Sequence, residues 1–193
     1  HYHKFYFLLL DIFYKKDKFT LLDSGTFWLS ETLQFEEKPR RWNADCPRIC
    51  TWGYFQVKNS EKTFYVFNTH FDHKSEVSRY QSAKLLLKQF ASLNGNAPIF
   101  LIGDLNGEKD ERFYHTLTST LKDAVVSSKH HIGPKVTCTG VGFHHHLSWD
   151  EYKSIDYILL SKDIEVHKTL VITDRFHDRY PSDHFPVCTE VVL

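Results

Sequence analysis

Polar clusters stand at the ends of apolar, strand-like runs at several places along this chain, and this arrangement restricts its fold more than any other feature. The clusters are Asn68-Thr69-His70, Gly103-Asp104-Leu105-Asn106, Ser154-Ile155-Asp156-Tyr157 and Ser182-Asp183-His184. Binding and catalytic side chains concentrate where strands end and loops begin. We therefore expect several strand ends to contribute side chains to one site, with the apolar runs forming the sheets behind it.

The predicted elements are mostly strands, with helices inserted between them. Apolar and alternating patterns predict strands over residues 5–14, 19–29, 48–57, 63–71, 99–102, 154–161, 164–173 and 185–193. Helices are predicted over 76–93, where Val77 and Tyr80 begin an apolar stripe behind an N-cap at Ser75, and over about 110–122. Surface loops are predicted over 31–47 and 127–150. This order fits an α/β sandwich of two mixed β-sheets flanked by helices, in a single domain over residues 1–193.

Composition argues against long-range electrostatic capture of a polyanion, although it leaves a local basic patch open. Lys plus Arg and Asp plus Glu balance at 24 each, whereas proteins that capture nucleic acid usually carry a basic excess. The apolar run at residues 5–10 is too short to cross a membrane, so we expect no transmembrane segment. The four cysteines form no CxxC pair and are predicted to be unpaired thiols, and the sequence assigns no compartment.

Asp104 and Asn106 can face the same crevice because two residues separate them at the end of an apolar run. A carboxylate there can ligate a metal or orient a water, and an amide can donate to a phosphate oxygen. Alternatively, both residues satisfy their own backbone in a turn. The residues alone leave both interpretations open.

Asp156 and His184 are the second candidate pair. Asp156 lies among apolar neighbours, where an unpaired carboxylate is costly, and His184 is its natural partner. Asp183 points away from His184 on an extended chain, so it is free to hold a metal or its water. His70 can pair with Asp72 in the same way, or it can be a surface histidine in a loop.

Other motifs narrow the chemistry. The consecutive residues His144, His145 and His146 cannot all face one ion on a regular element, so a loop is expected there. The sequence contains no GxSxG, P-loop or GxGxxG motif. A water activated by a divalent metal is therefore the expected nucleophile.

Taken in chain order, the polar clusters resemble those of the endonuclease/exonuclease/phosphatase superfamily, and the resemblance runs from about residue 12 to the C-terminus. It extends to the segments Ser24–Ser30 and Arg48–Trp52 and to Arg79. The resemblance implies a DNase I-like fold and Mg²⁺-dependent hydrolysis of phosphoester bonds, with Mn²⁺ as an alternative ion. It also implies roles for six residues. Asp104 would orient or deprotonate the water, Asn106 and His70 would contact the phosphate, His184 would stabilise the transition state, Asp156 would orient His184, and Asp183 would hold the metal together with Asp104.

One part of the family pattern is missing. The family begins with a strand that carries an Asn, followed by a strand with a Gln-Glu pair whose Glu is the principal metal ligand. Neither precedes residue 12, and Gln34 and Glu36 lie after the segments that should follow that pair. We therefore expect the N-terminal part of the fold to be missing and Mg²⁺ binding to be weak.

Three functions follow as hypotheses. The first is a metal-dependent phosphoester hydrolase, a phosphodiesterase, nuclease or phosphatase. The second is a catalytically impaired remnant that keeps the fold and binds phosphate or a partner, and the third is an interaction module that uses aromatic surface and the loop 31–47. The neutral charge favours a small or lipid-like phosphoester over nucleic acid, and we expect a monomer.

Overall fold

Two mixed β-sheets form the framework of this protein, in a computed structural model that describes residues 10–32, 42–93, 95–139, 153–177 and 179–193. The strands are β1 (Phe19–Trp28), β2 (Ile49–Val57), β3 (Thr63–Thr69), β4 (Ile99–Asp104), β5 (Leu121–Asp123), β6 (His130–Ile132), β7 (Asp156–Ser161), β8 (Glu165–Val171) and β9 (Val187–Val192). The helices are α1 (Glu76–Ala91), α2 (Arg112–Thr118) and α3 (Ala124–Ser127). The predicted fold class is confirmed.

The larger sheet has the strand order β1-β2-β3-β4-β7-β5, and the smaller sheet has the order β6-β8-β9. In the larger sheet β3 and β4 are parallel, because α1 carries the chain back between them, while β4 and β7 are antiparallel. The register of β4 and β7 places Asp104 directly opposite Asp156. Two of the predicted polar clusters therefore meet on neighbouring strands.

The larger sheet is covered on both faces, and β7 shows this most clearly. Tyr157 and Leu159 pack into a buried cluster with residues of α1 and α2, including Leu86 and Leu117. Leu160, one position along, belongs to a second cluster with residues of the smaller sheet. Because successive side chains of a strand point to opposite faces, β7 lies between the helices and the second sheet, and its nearly continuous apolar sequence follows from that position.

Several predicted boundaries are wrong. Residues 10–14 do not form the expected strand, and residues 5–9 of that prediction lie outside the described residues. The second helix ends at Thr118 instead of about residue 122, because Leu121 is buried and pairs with Ser161 of β7 as the start of β5. The predicted loop 127–150 contains strand β6, while His144, His145 and His146 lie outside the described residues.

The helix α1 confirms one prediction and corrects another. The side chain of Ser75 accepts a hydrogen bond from the Ser78 N–H at 3.1 Å, so the predicted N-cap is present. Val77, however, is 53% exposed, and the buried stripe runs through Ala83, Leu86 and Phe90. No helix among the described residues is both long and apolar enough to cross a membrane. The four cysteines form no disulfide bond.

Gly103 fixes the approach of β4 to the end of β3. Its φ is +134°, and a Cβ built there would lie 1.9 Å from the carbonyl oxygen of Thr69. Only glycine fits this position without moving the backbone. The close contact brings Asp104 beside His70, which follows β3.

Candidate active site

The predicted site residues come from different elements and meet at one end of the larger sheet. Asp104 ends β4, Asp156 begins β7, and His184 lies in the connection between β8 and β9. Their ligand atoms all lie within 4.8 Å of one another, which among the described residues makes them the one group of three that could hold a metal ion. The structure therefore brings together three of the residues chosen from the sequence.

Asp156 and His184 form the hydrogen bond that the sequence analysis expected. His184 Nδ1 lies 2.8 Å from Asp156 Oδ2. This bond, together with a contact to Cys138, raises the pKa of His184 to about 11 against the opposing effect of burial. His184 therefore carries a positive charge at neutral pH, which suits it to contact a phosphoryl group.

Asp104 divides its two carboxylate oxygens between a turn and the site. Oδ1 accepts the Asn106 backbone N–H at 2.8 Å, and Oδ2 lies 3.3 Å from His70 Nε2. Burial, and then the negative charge of Asp156, raise the pKa of Asp104 to about 6. A carboxylate whose pKa lies close to neutral pH is a better general base than an ordinary aspartate.

His70 is neutral at pH 7. Burial, and then the positive charge of Arg48, lower the pKa of His70 to about 4. Its contact with Asp104 is therefore not an ion pair, and the single N–H of the neutral imidazole can donate to one partner only, either a carboxylate or a phosphate oxygen.

Asn106 forms the turn that was one of the two interpretations left open, and its contact with a phosphate stays a prediction. Its φ of 52° is a left-handed conformation typical of turns, and its Nδ2 donates to the carbonyl oxygen of Phe71 at 2.9 Å. This bond ties the chain after β4 to the chain after β3. Because an amide nitrogen carries two protons, one proton is left over for a phosphate oxygen.

Asp183 and Asp72 are placed differently from the other acids. Asp183 does not belong to the group within 4.8 Å, and its Oδ1 accepts a bond of 3.3 Å from Ser182 Oγ. Asp72 does not pair with His70. It is fully buried and accepts the backbone N–H groups of Asp45, Cys46, Lys74 and Ser75. Burial alone would raise the pKa of Asp72, but these four hydrogen bonds together lower it below its usual value.

Two residues at the site were missed by the sequence analysis as candidates. Arg48 is 7% exposed, its guanidinium lies 3.2 Å from His73 Nδ1, and its charge acts on both His70 and Asp104. Its Nε is buried without a hydrogen-bond partner. Thr137 donates from Oγ1 to Asp156 Oδ2 at 2.7 Å. Arg48 could have been found from the sequence, because it is a charged residue directly before an apolar strand. No local feature of the sequence marks Thr137.

The donor set fits a divalent cation in part. Two carboxylates face each other closely enough for the charge of Asp156 to raise the pKa of Asp104, and a cation between them would relieve that repulsion. Magnesium is often held by one or two carboxylates, with waters and substrate phosphate completing its octahedron. Asp104 offers such a ligand, although its two oxygens already have protein partners.

Replacing Asp104 with asparagine should stabilise the protein at neutral pH. Asp104 has a folded pKa of about 6 against an ordinary 3.8, so its contribution to stability is full below 3.8 and is lost as the pH rises through about 6. The ionised side chain therefore costs on the order of 2 kcal/mol at pH 7.5. We expect Asp104→Asn to raise the melting temperature by about 5 °C at pH 7.5 and by less at pH 5.

The matched control is Asp163→Asn, which alters an exposed aspartate in the turn after β7. It should leave the melting temperature unchanged at both pH 7.5 and pH 5. An equal or lower melting temperature for Asp104→Asn at pH 7.5 would contradict the assignment of a costly buried charge.

Comparison with known proteins identifies relatives. The sequence profile of the Endonuclease/Exonuclease/phosphatase family matches residues 12–184. A functionally unknown conserved protein from Enterococcus faecalis V583 is similar at 33% identity and a TM-score of 0.84, over 93% of this chain and 69% of that one. An endonuclease/exonuclease/phosphatase from Bacteroides vulgatus is 31% identical with a TM-score of 0.85, over 93% and 68%. A mannosyl-6-phosphatase from Bacteroides thetaiotaomicron VPI-5482 is 32% identical with a TM-score of 0.82, over 93% and 69%.

A comparison with curated protein sequences gave no significant match. The profile match nevertheless extends over most of the chain, and it includes the ends of β3, β4 and β7 together with His184. The solved relatives above 30% identity share the two-sheet fold over nearly all of its length. This chain therefore belongs to the endonuclease/exonuclease/phosphatase family.

Proposed function

We propose that this protein hydrolyses a small phosphoester with a metal-assisted water, through the site around Asp104, Asp156 and His184. The observation that carries the proposal is the convergence of their ligand atoms within 4.8 Å at the ends of separate elements. Membership of the family supports a phosphoester hydrolase, and the similar mannosyl-6-phosphatase supports a small phosphorylated substrate. The balance of 24 basic and 24 acidic residues agrees with a small or lipid-like substrate rather than nucleic acid.

In this mechanism the phosphoryl group is held by cationic and neutral donors. His184 presents its remaining ring nitrogen as a charged donor, because Nδ1 is engaged by Asp156. His70 and Asn106 act as neutral donors, and the buried charge of Arg48 favours an anion nearby. These donors stabilise the negative charge that the phosphoryl oxygens carry in the transition state.

Asp104 accepts the proton of the attacking water in this scheme. Its pKa of about 6 means that it is ionised at pH 7.5 and still a useful base. Asp104 and Asp156 would hold Mg²⁺ or Mn²⁺, and the ion would supply Lewis acidity at the phosphoryl oxygens. Asp183, which lies outside this group, stays a sequence-based prediction for a further ligand.

A second candidate function is phosphate binding without turnover. The observation that favours it is that the group within 4.8 Å contains only two carboxylates, whereas His184 is cationic without any metal. Such a site can bind an anion and still lack the ligands needed for hydrolysis.

The two functions differ in their response to metal. We expect the purified chain to release phosphate from mannose 6-phosphate or p-nitrophenyl phosphate with Mg²⁺ or Mn²⁺, and to lose this activity with EDTA. The diester bis-p-nitrophenyl phosphate and a short oligonucleotide test the other substrate classes, and His184→Ala serves as the blank. Binding of inorganic phosphate in calorimetry without turnover would favour the second candidate. Neither binding nor turnover would refute both.

A further inference from the structure

Thr137 lies between the two partners of the Asp156–His184 pair and contacts the chain beside each of them. Its side chain is 1% exposed. Its backbone N–H donates to the Lys153 carbonyl at 2.8 Å, and its carbonyl accepts the Phe185 N–H at 2.7 Å. One residue therefore joins the segment that leads into Asp156 to the segment that carries His184.

The hydrogen-bonding capacity of the Thr137 hydroxyl is fully used. Oγ1 accepts the backbone N–H of Ile155 at 3.1 Å and that of Asp156 at 3.0 Å, and it lies 2.7 Å from Asp156 Oδ2. A hydroxyl has two lone pairs and one proton. Because two amides occupy the lone pairs, the proton must point to the carboxylate.

This fixed proton determines the orientation of the Asp156 carboxylate toward His184. Oδ2 accepts the Thr137 hydroxyl at 2.7 Å and is also the oxygen 2.8 Å from His184 Nδ1. With its orientation set by Thr137, the carboxylate accepts the proton on Nδ1, and this bond restricts the rotation of the imidazole ring. The tautomer and the direction of a catalytic histidine are set by the partner of its second nitrogen, and partners one step further out affect activity in turn.

We propose that Thr137 is a positioning residue that fixes the Asp156 carboxylate and, through it, the imidazole of His184. It touches no substrate, and its catalytic importance rests on the proposed function above. Its structural effect on His184 is independent of that function.

The isosteric change Thr137→Val removes the hydroxyl, whereas Thr137→Ser keeps it. The direct readout is the Nδ1–H proton of His184 in NMR spectra, which a persistent hydrogen bond to Asp156 shifts downfield and protects from exchange with water. We expect this resonance in the wild type and in Thr137→Ser, and we expect its loss in Thr137→Val. The matched control is Thr169→Val, because Thr169 is also fully buried but contacts Ala124 and Thr189 in the second core.

The kinetic readout separates positioning from binding. Thr137→Val should lower kcat about 10- to 100-fold with KM changed less than about 3-fold, and Thr137→Ser should restore most of the rate. In an Asp156→Ala background the same change should lower kcat by less than about 3-fold, because the side chain through which Thr137 acts is then absent. A general distortion of the cleft would instead lower the rate by the same factor in both backgrounds.

Several results would overturn the inference. The first is an unchanged Nδ1–H resonance of His184 in Thr137→Val. The others are a loss of this resonance in Thr137→Ser, or in Thr169→Val, as complete as the loss in Thr137→Val. If no variant hydrolyses any phosphoester, the proposed function fails, and the NMR comparison still decides the role of Thr137. If Thr137→Val does not fold, the wild type provides the test. A slowly exchanging Thr137 hydroxyl proton close to His184 Nδ1–H is expected, and a hydroxyl proton directed elsewhere overturns the proposal.

Discussion

Alanine in place of His184 is expected to lower kcat/KM by about 10³-fold or more, which is the largest effect of any single change at this site. The imidazole is cationic because its hydrogen bond to Asp156 raises its pKa to about 11. Its removal takes away a charged donor and leaves the Asp156 carboxylate without its partner. The loss should appear mostly in kcat, because the charge on the phosphoryl oxygens is greatest in the transition state.

The measurement is a comparison of steady-state rates with Mg²⁺ at pH 7.5, with His167→Ala as the control. His167 is an exposed histidine of β8, so its removal should leave the rate unchanged. Equal rates for His184→Ala and the wild type would remove His184 from the mechanism.

Asparagine at position 156 is expected to lower kcat about 10³-fold while changing KM much less. The amide oxygen of asparagine can take the place of Oδ2 and accept both the His184 Nδ1–H and the Thr137 hydroxyl, so the shape and these hydrogen bonds are kept. What the substitution removes is the negative charge that raises the pKa of His184. His184 then loses its stabilised positive charge, which is needed most in the transition state.

Here the control is Asp163→Asn, which removes an exposed carboxylate only two residues past the end of β7. Its rate should equal that of the wild type. A variant Asp156→Asn that binds substrate more weakly at an unchanged kcat would show that Asp156 contributes to binding and not to the stabilisation of the transition state by His184.

The sequence allowed the pairing of Asp156 with His184 to be predicted because the physical reason is local. Asp156 alternates with apolar residues on a strand, and an ionised carboxylate in such surroundings needs a partner. The strand pattern also predicted most of the larger sheet, in which β4 and β7 are continuous apolar runs with polar ends. What the alternation could not indicate is that the two strands are neighbours in antiparallel register, because that depends on the order of strands in the sheet.

The partner of Asp72 shows where local reasoning fails. A spacing of two residues places His70 and Asp72 on one face only if the strand continues, but β3 ends at Thr69. Asp72 is instead bound by backbone N–H groups from residues 45 and 46, far away in the sequence, and from residues 74 and 75. Buried polar groups take partners from wherever the fold supplies them, so spacing alone could not identify these donors.

Thr137 was missed for a related reason. Its neighbours Val136 and Cys138 lie in a segment rich in turn residues, which predicts a loop. In the structure Cys138 forms isolated bridges with both Lys153 and His184, so this segment lies between two parts of the site. A residue that acts through backbone geometry and a single hydroxyl leaves no motif in the sequence.

The close contact at Gly103 has a consequence for how such a protein can diverge. An added methyl group there would fall 1.9 Å from the Thr69 oxygen, so any residue other than glycine would force β3 and β4 apart. The distance between the ends of β3 and β4 is therefore fixed, whichever substrate binds in the cleft. New substrate preferences must then arise from the loops around the cleft, and a library intended to change selectivity should randomise those loops and leave this strand junction untouched.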